Sequence, residues 1–188
     1  MVHKGAILAV GLITIAGLAS SAPPSAVQRS KPAWTEVAWP FLLDQWGTGR
    51  AFQCGFAAGA GGGACPFEIN IYVRPKVGFC DCANGVSDDA ELDRINDVAL
   101  VGDNFAPLAA GDKVNVGCMK GRLRTYYVSG TFVTQRYVLA VGLNSGCDAF
   151  VATITADHSL TPDLQRAALE FLNHETVLRW ARKEFGLS

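Results

Sequence analysis

The chain has 188 residues, 49% of them hydrophobic, 18% charged and 10% aromatic, with a formal charge of −1. That length suits a single core of ordinary domain size, and four Trp with ten Phe exclude a chain too polar to bury itself. A near-neutral balance supplies no broad cationic field, so nucleic acid is not an expected partner.

Met1–Ala22 reads as a secretory signal. His3 and Lys4 give a basic start, Gly5–Leu18 is uncharged and apolar, and the small residues Ala19, Ser20, Ser21 and Ala22 follow. Cleavage is expected after Ala19 or Ser21, because a cut after Ala22 would leave Pro23 at the new terminus. The apolar run falls short of the roughly 20 residues that span a bilayer. The mature chain is therefore expected to be periplasmic or secreted, without stable membrane insertion. Residues 23–33, rich in Ser, Pro and Ala, form a flexible lead-in, and residues 34–188 form one domain.

All six cysteines, Cys54, Cys65, Cys80, Cys82, Cys118 and Cys147, lie in the exported part. An even count in an oxidising compartment points to disulfides, although fifteen pairings are possible. Cys54 and Cys65 flank the glycine-rich run 55–64, which lets the chain fold back between them. Cys118 and Cys147 each flank an expected strand, which makes a bridge between neighbouring strands the preferred pairing. Cys80 and Cys82 would close only a strained small ring, or meet distant partners instead.

In chain order, Trp39–Trp46 is aromatic and apolar, with Pro40 arguing against a central strand. Arg50–Phe56 reads as a short strand. Glu68–Arg74 is the clearest strand, with Ile69, Ile71 and Val73 on one face, Glu68, Asn70, Tyr72 and Arg74 on the other, and Pro75 ending it. Ser87, followed by Asp88, Asp89 and Glu91, marks a helix start. Leu92, Ile95 and Val98 or Ala99 form its apolar side, and Gly102 its exit. Four β segments follow over 113–119, 122–128, 136–143 and 149–155, with a turn at Asn144-Ser145-Gly146 between the last two. Thr161 and Pro162 open a C-terminal helical segment whose buried stripe is Leu164, Ala168, Phe171 and Leu172. Asn173 breaks or kinks it before Val177, Leu178, Ala181 and Phe185 continue the apolar face. The expected fold class is α+β, an antiparallel sheet of about six strands with a short helix and a C-terminal helical segment packed on it.

This element order resembles the PsbP-like sandwich. In addition, Trp39-Pro40-Phe41, Asp44-Gln45-Trp46-Gly47, Gly78-Phe79-Cys80 with Cys82, Asp88-Asp89, Phe171-Leu172-Asn173 and Arg179-Trp180 resemble small exported proteins of alphaproteobacteria. The second resemblance implies a periplasmic or secreted location and carries no activity.

Motifs of catalysis are each missing a member. Gly59–Gly63 lacks the Gly-Lys-Ser/Thr of a phosphate loop, and Gly47-Thr48-Gly49 has Phe52 where a dinucleotide fingerprint needs glycine. His174-Glu175 would need a second His at position 178, which is Leu178; His158 is the other histidine of the mature chain. Neither Ser129 nor Ser145 lies in a nucleophile elbow. The acidic run Asp88, Asp89, Glu91, Asp93 and Asp97 has Leu92 and Arg94 where a calcium loop alternates ligands, and reads as a solvated helix face.

Function is thus expected to be non-enzymatic binding or envelope association, with no catalytic residue, metal or cofactor assigned. Two other readings stand. Cys80 and Cys82 are candidates for thiol–disulfide exchange, or for holding a soft ion with Met119 or a histidine as further donor. Trp34, Trp39 and Trp46 are candidates for stacking on a carbohydrate.

Overall fold

A computed structural model describes residues 33–55, 65, 68–79, 83–130, 133–156 and 159–187, of which 133–135 by their backbone alone. The signal, most of the lead-in, the glycine run 59–63, Cys80, Cys82 and His158 lie outside the described residues.

Eight strands form one antiparallel sheet: β1 (Thr35–Val37), β2 (Arg50–Cys54), β3 (Ile69–Lys76), β4 (Asn104–Pro107), β5 (Asp112–Val116), β6 (Met119–Gly130), β7 (Val133–Ser145) and β8 (Asp148–Ala156). The spatial order is β1-β2-β3-β8-β7-β6-β4, with β5 on the same edge of β6 as β4. The α+β class holds, with more strands than the expected six. The two additions are β1 and β4, short edge strands whose residues are all exposed and so carry no alternation of burial. Pro75 does not end β3. It pairs with Phe150 beyond the last β2–β3 pair, Arg50–Val73, where one edge of β3 is open and a missing N–H is tolerated.

Both faces of the central strands are covered. On one face Ile71, Val73, Leu139, Val141, Phe150 and Ile154 pack under α2 (Pro162–Leu172) and α3 (Glu175–Glu184). The second face presents Tyr126, Val128, Val138, Ala140, Ala149 and Val151 to α1 (Asp89–Ile95) and the 3₁₀ turn Val98–Leu100. α1 approaches closely enough that a Cβ on Gly142 would meet Leu92 Cδ1 at 2.9 Å and Ile95 Cδ1 at 3.0 Å. The result is three layers, helix–sheet–helix.

Helix ends follow local chemistry. Asp88, rather than Ser87, caps α1, its carboxylate accepting from Glu91 N–H at 2.8 Å. α1 ends at Ile95, earlier than expected, because Asn96 is extended. Thr161 caps α2 with Pro162 in its first turn; Asn173 ends it and His174 caps α3, so the C-terminal segment is two helices. The acidic run is a solvated face only in part: Asp88 and Asp93 are exposed, yet most of its carboxylates are paired. Asp89 pairs with Arg122 at 2.6 Å, Asp93 pairs with Arg124 at 2.9 Å and accepts from Tyr126 Oη–H at 2.5 Å, and Asp97 is buried. These bonds fasten α1 to β6.

Candidate functional site

The site begins with the period of two in β3. Ile71 and Val73 face α2 and α3, so Tyr72, Arg74 and Lys76 face the α1 layer. β3 is central, and that second face is roofed rather than solvated. Arg74 is 2% exposed and Lys76 4%. Burying two cations demands counter-charge, and two loops deliver it.

The first loop follows α1. Asn96 Oδ1 accepts from Val98 N–H at 2.9 Å, and Asn96 Nδ2 donates to Leu92 O at 3.1 Å, which sets the bend carrying Asp97 inward. The second is the turn Asp44–Gly47. Asp44 Oδ1 accepts from Trp46 N–H at 2.8 Å, Asp44 O accepts from Gly47 N–H at 3.0 Å, and Gly47 closes the turn at a φ of 71°. Just beyond it, a Cβ on Gly49 would lie 2.6 Å from the Trp39 ring, so glycine lets Trp39 lie against the sheet.

Arg74 joins the two loops. Its Nε donates to Asp97 Oδ2 at 2.6 Å and its Nη2 to Asp97 Oδ1 at 2.7 Å. Nη1 donates to Asp44 Oδ1 at 2.7 Å and Gly47 O at 3.3 Å, and Nη2 also to Asp44 Oδ2 at 2.9 Å. All five N–H groups are spent. Lys76 Nζ donates to Ile95 O at 2.7 Å and lies 2.8 Å from Asp97 Oδ1. Trp46 and Phe79 pack edge to face at 4.3 Å, and Lys76 Nζ sits 5.6 and 5.4 Å from their ring centres.

Electrostatics follow from this placement. The Arg74 guanidinium beside Asp44 holds that carboxyl below the usual carboxylate range. Burial pulls the Lys76 amine below its ordinary value, with Asp97 opposing. For Arg74 burial works against the charge, but its hydrogen bonds to Asp97 and Asp44 outweigh it and the group stays protonated. Over these residues opens a cleft of about 350 Å³, walled by Trp46, Gln45, Ala99 and Leu100.

Chemically the cleft is a polar floor with one aromatic wall. Its lining holds no Ser, Thr, Cys or His to act as nucleophile. Asp44, held ionised by Arg74, is poorly suited to donate a proton as a general acid. Among the described residues, no group of three His, Cys, Asp or Glu is placed to hold a metal, and no helix is long and apolar enough to cross a membrane.

The three tryptophans do not form one platform. Trp34 packs on Phe171 at 4.7 Å under α2, and Trp39 on Phe41 and Tyr72 at 5.2 and 6.2 Å. Trp46 alone of the three lines the cleft. Cys54 and Cys65 are bridged, with Cα atoms 5.7 Å apart. Cys147 is disulfide-bonded, and Cys118 is an exposed free thiol. The expected Cys118–Cys147 bridge does not form because β7 intervenes. Cys118 leads into β6 and Cys147 into β8, about two strand spacings of ~4.8 Å apart, beyond the ~4.4–6.8 Å of bridged Cα atoms. Met119 packs in the core beneath α2 and α3, and His174 Nδ1 accepts from Thr176 N–H.

Sequence reasoning missed Arg74, Lys76, Asp97 and Asp44 as a group. A signal was present: two cations two residues apart in a strongly alternating strand share one face. No family model, no curated protein and no solved structure matches this chain.

Proposed function

We propose that this chain is an exported, disulfide-stabilised α+β domain that acts by binding rather than by catalysis, with the cleft above Arg74, Lys76 and Asp97 as its binding site. The observation that carries the reading is a buried, internally neutralised ionic network forming the floor of an open cleft, its Lys76 and Asp97 already engaged with one another and its lining without Ser, Thr, Cys or His. Such a floor is fixed before any ligand arrives, which lowers the ordering cost of association.

Export rests on the signal-like Met1–Ala22, and the resemblance to exported alphaproteobacterial proteins supports the same compartment. The Cys54–Cys65 bridge is the covalent feature an oxidising compartment favours. Fractionation with N-terminal sequencing tests this part. The expected product begins after Ala19 or Ser21 in the periplasm or medium; full-length chain confined to the cytosol would overturn it.

A further inference from the structure

We propose that the cleft takes a neutral polyhydroxylated ligand, a sugar or polyol, with Lys76 donating to a ligand oxygen, Asp44 accepting from a ligand hydroxyl and Trp46 covering an apolar ring face. This rests on the reading of the cleft as the binding site and adds the chemical class of its ligand.

Arg74 has no N–H left, but Lys76 has used two of three, on Ile95 O and Asp97 Oδ1. Lys76 is only 4% exposed and lines the cleft, and apart from the Trp46 and Phe79 rings its third N–H finds an acceptor only in whatever occupies that space. The ligand must therefore offer an acceptor there.

Acceptor accounting is complementary. A carboxylate has about four lone-pair sites. Asp44 fills three, with Trp46 N–H and two N–H groups of Arg74, and its side chain is 36% exposed. One acceptor site remains on the open side of the network. The ligand must also offer a donor, and hydroxyl groups do both.

Charge then selects among ligands. Arg74 and Lys76 are balanced by Asp44 and Asp97. An anion would accept from Lys76 but add a third negative group beside two carboxylates. A cation would meet carboxylates already neutralised and a buried ammonium. A neutral molecule leaves the balance intact. The walls agree: the Trp46 ring with Ala99 and Leu100 presents apolar surface, as the C–H face of a pyranose requires. At about 350 Å³ the space falls in the ~300–1,000 Å³ range of small-molecule sites.

The test is titration of the mature, disulfide-bonded protein, followed by amide NMR shifts and calorimetry. Neutral probes are glucose, N-acetylglucosamine, maltose and glycerol; charged probes are inorganic phosphate, glucuronate and glucosamine. The neutral sugars should move the amides of Trp46, Asp97 and Leu100 and saturate at one site. Trp46→Ala should weaken that binding about tenfold, while Tyr137→Ala, outside the cleft lining, should leave it unchanged. Lys76→Met should weaken binding similarly; if that variant does not fold, the Trp46→Ala comparison decides alone. Tighter binding of phosphate, glucuronate or glucosamine at the same amides would overturn the ligand class and leave the cleft as a binding site. No shift at these amides with any probe would overturn both.

Discussion

Replacing Asp97 with alanine strips the acceptor from three buried donors at once: Arg74 Nε, one N–H of Arg74 Nη2, and Lys76 Nζ. Arg74 keeps Asp44 and Gly47, but Lys76 is left with Ile95 O as its one partner and no carboxylate in contact. Removing one member of a buried ionic group costs about 3–5 kcal/mol, because a charge stays behind uncompensated. Total stability of a domain is about 5–15 kcal/mol, so the variant should remain folded but visibly weakened. Urea unfolding at neutral pH should show a lowered midpoint at an unchanged slope, and the melting temperature should fall by roughly 6–20 °C at ~2–4 °C per kcal/mol. Lys76→Met should cost less, at most about 2 kcal/mol, since Arg74 still donates twice to Asp97 and the removed charge was itself penalised by burial. A loss below about 1 kcal/mol for Asp97→Ala would refute the reasoning, since exposed pairs are worth no more than that.

Opening the Cys54–Cys65 bridge with the paired Cys→Ala variant should cost about 3 kcal/mol on the loop-entropy model, given a sequence separation of 11, read as the difference in urea midpoint between variant and native protein. Gly142→Ala should destabilise by about 1–3 kcal/mol, because the new methyl pushes on Leu92, Ile95 and Val86 in a packed layer; an unchanged melting temperature would mean that α1 docks more loosely. Acid should unfold the protein through carboxyls held low in the native state: Asp44 by Arg74, Asp89 by the Gly111 N–H and Arg122, and Glu36 by Arg50. The folded state then binds fewer protons than the unfolded one, so stability is present above the ordinary values of 3.8 and 4.5 and declines as pH falls through and below them. Circular dichroism from pH 7 to pH 2 measures it, and a stability flat through that window would contradict the pairings.

How far the sequence could be read depended on burial. β3, β6, β7, β8 and the two C-terminal helices were legible because they carry a buried face, and apolar periodicity records burial. Edge strands β1 and β4 bury nothing and leave no such record. Ser87 and Asp88 are both competent caps one residue apart, and only the backbone geometry separates them. The Cys54–Cys65 pairing was legible because it is local, whereas excluding Cys118–Cys147 required knowing that β7 lies between them. The site was least legible. Ending the strand at Pro75 left Lys76 outside it, so the shared face of Arg74 and Lys76 was not read, and Asp44 and Asp97 reach Arg74 from loops 30 and 23 residues away.

Peptide mapping of the protein recovered from the cell envelope or medium, alkylated before digestion, tests the central claim of an exported domain held by disulfides. The account predicts a Cys54–Cys65 cross-linked peptide, Cys147 in a second cross-linked peptide, and Cys118 carrying the alkyl label. Alkylation of Cys54, Cys65 and Cys147 alike, on a chain still bearing Met1–Ala22, would contradict it.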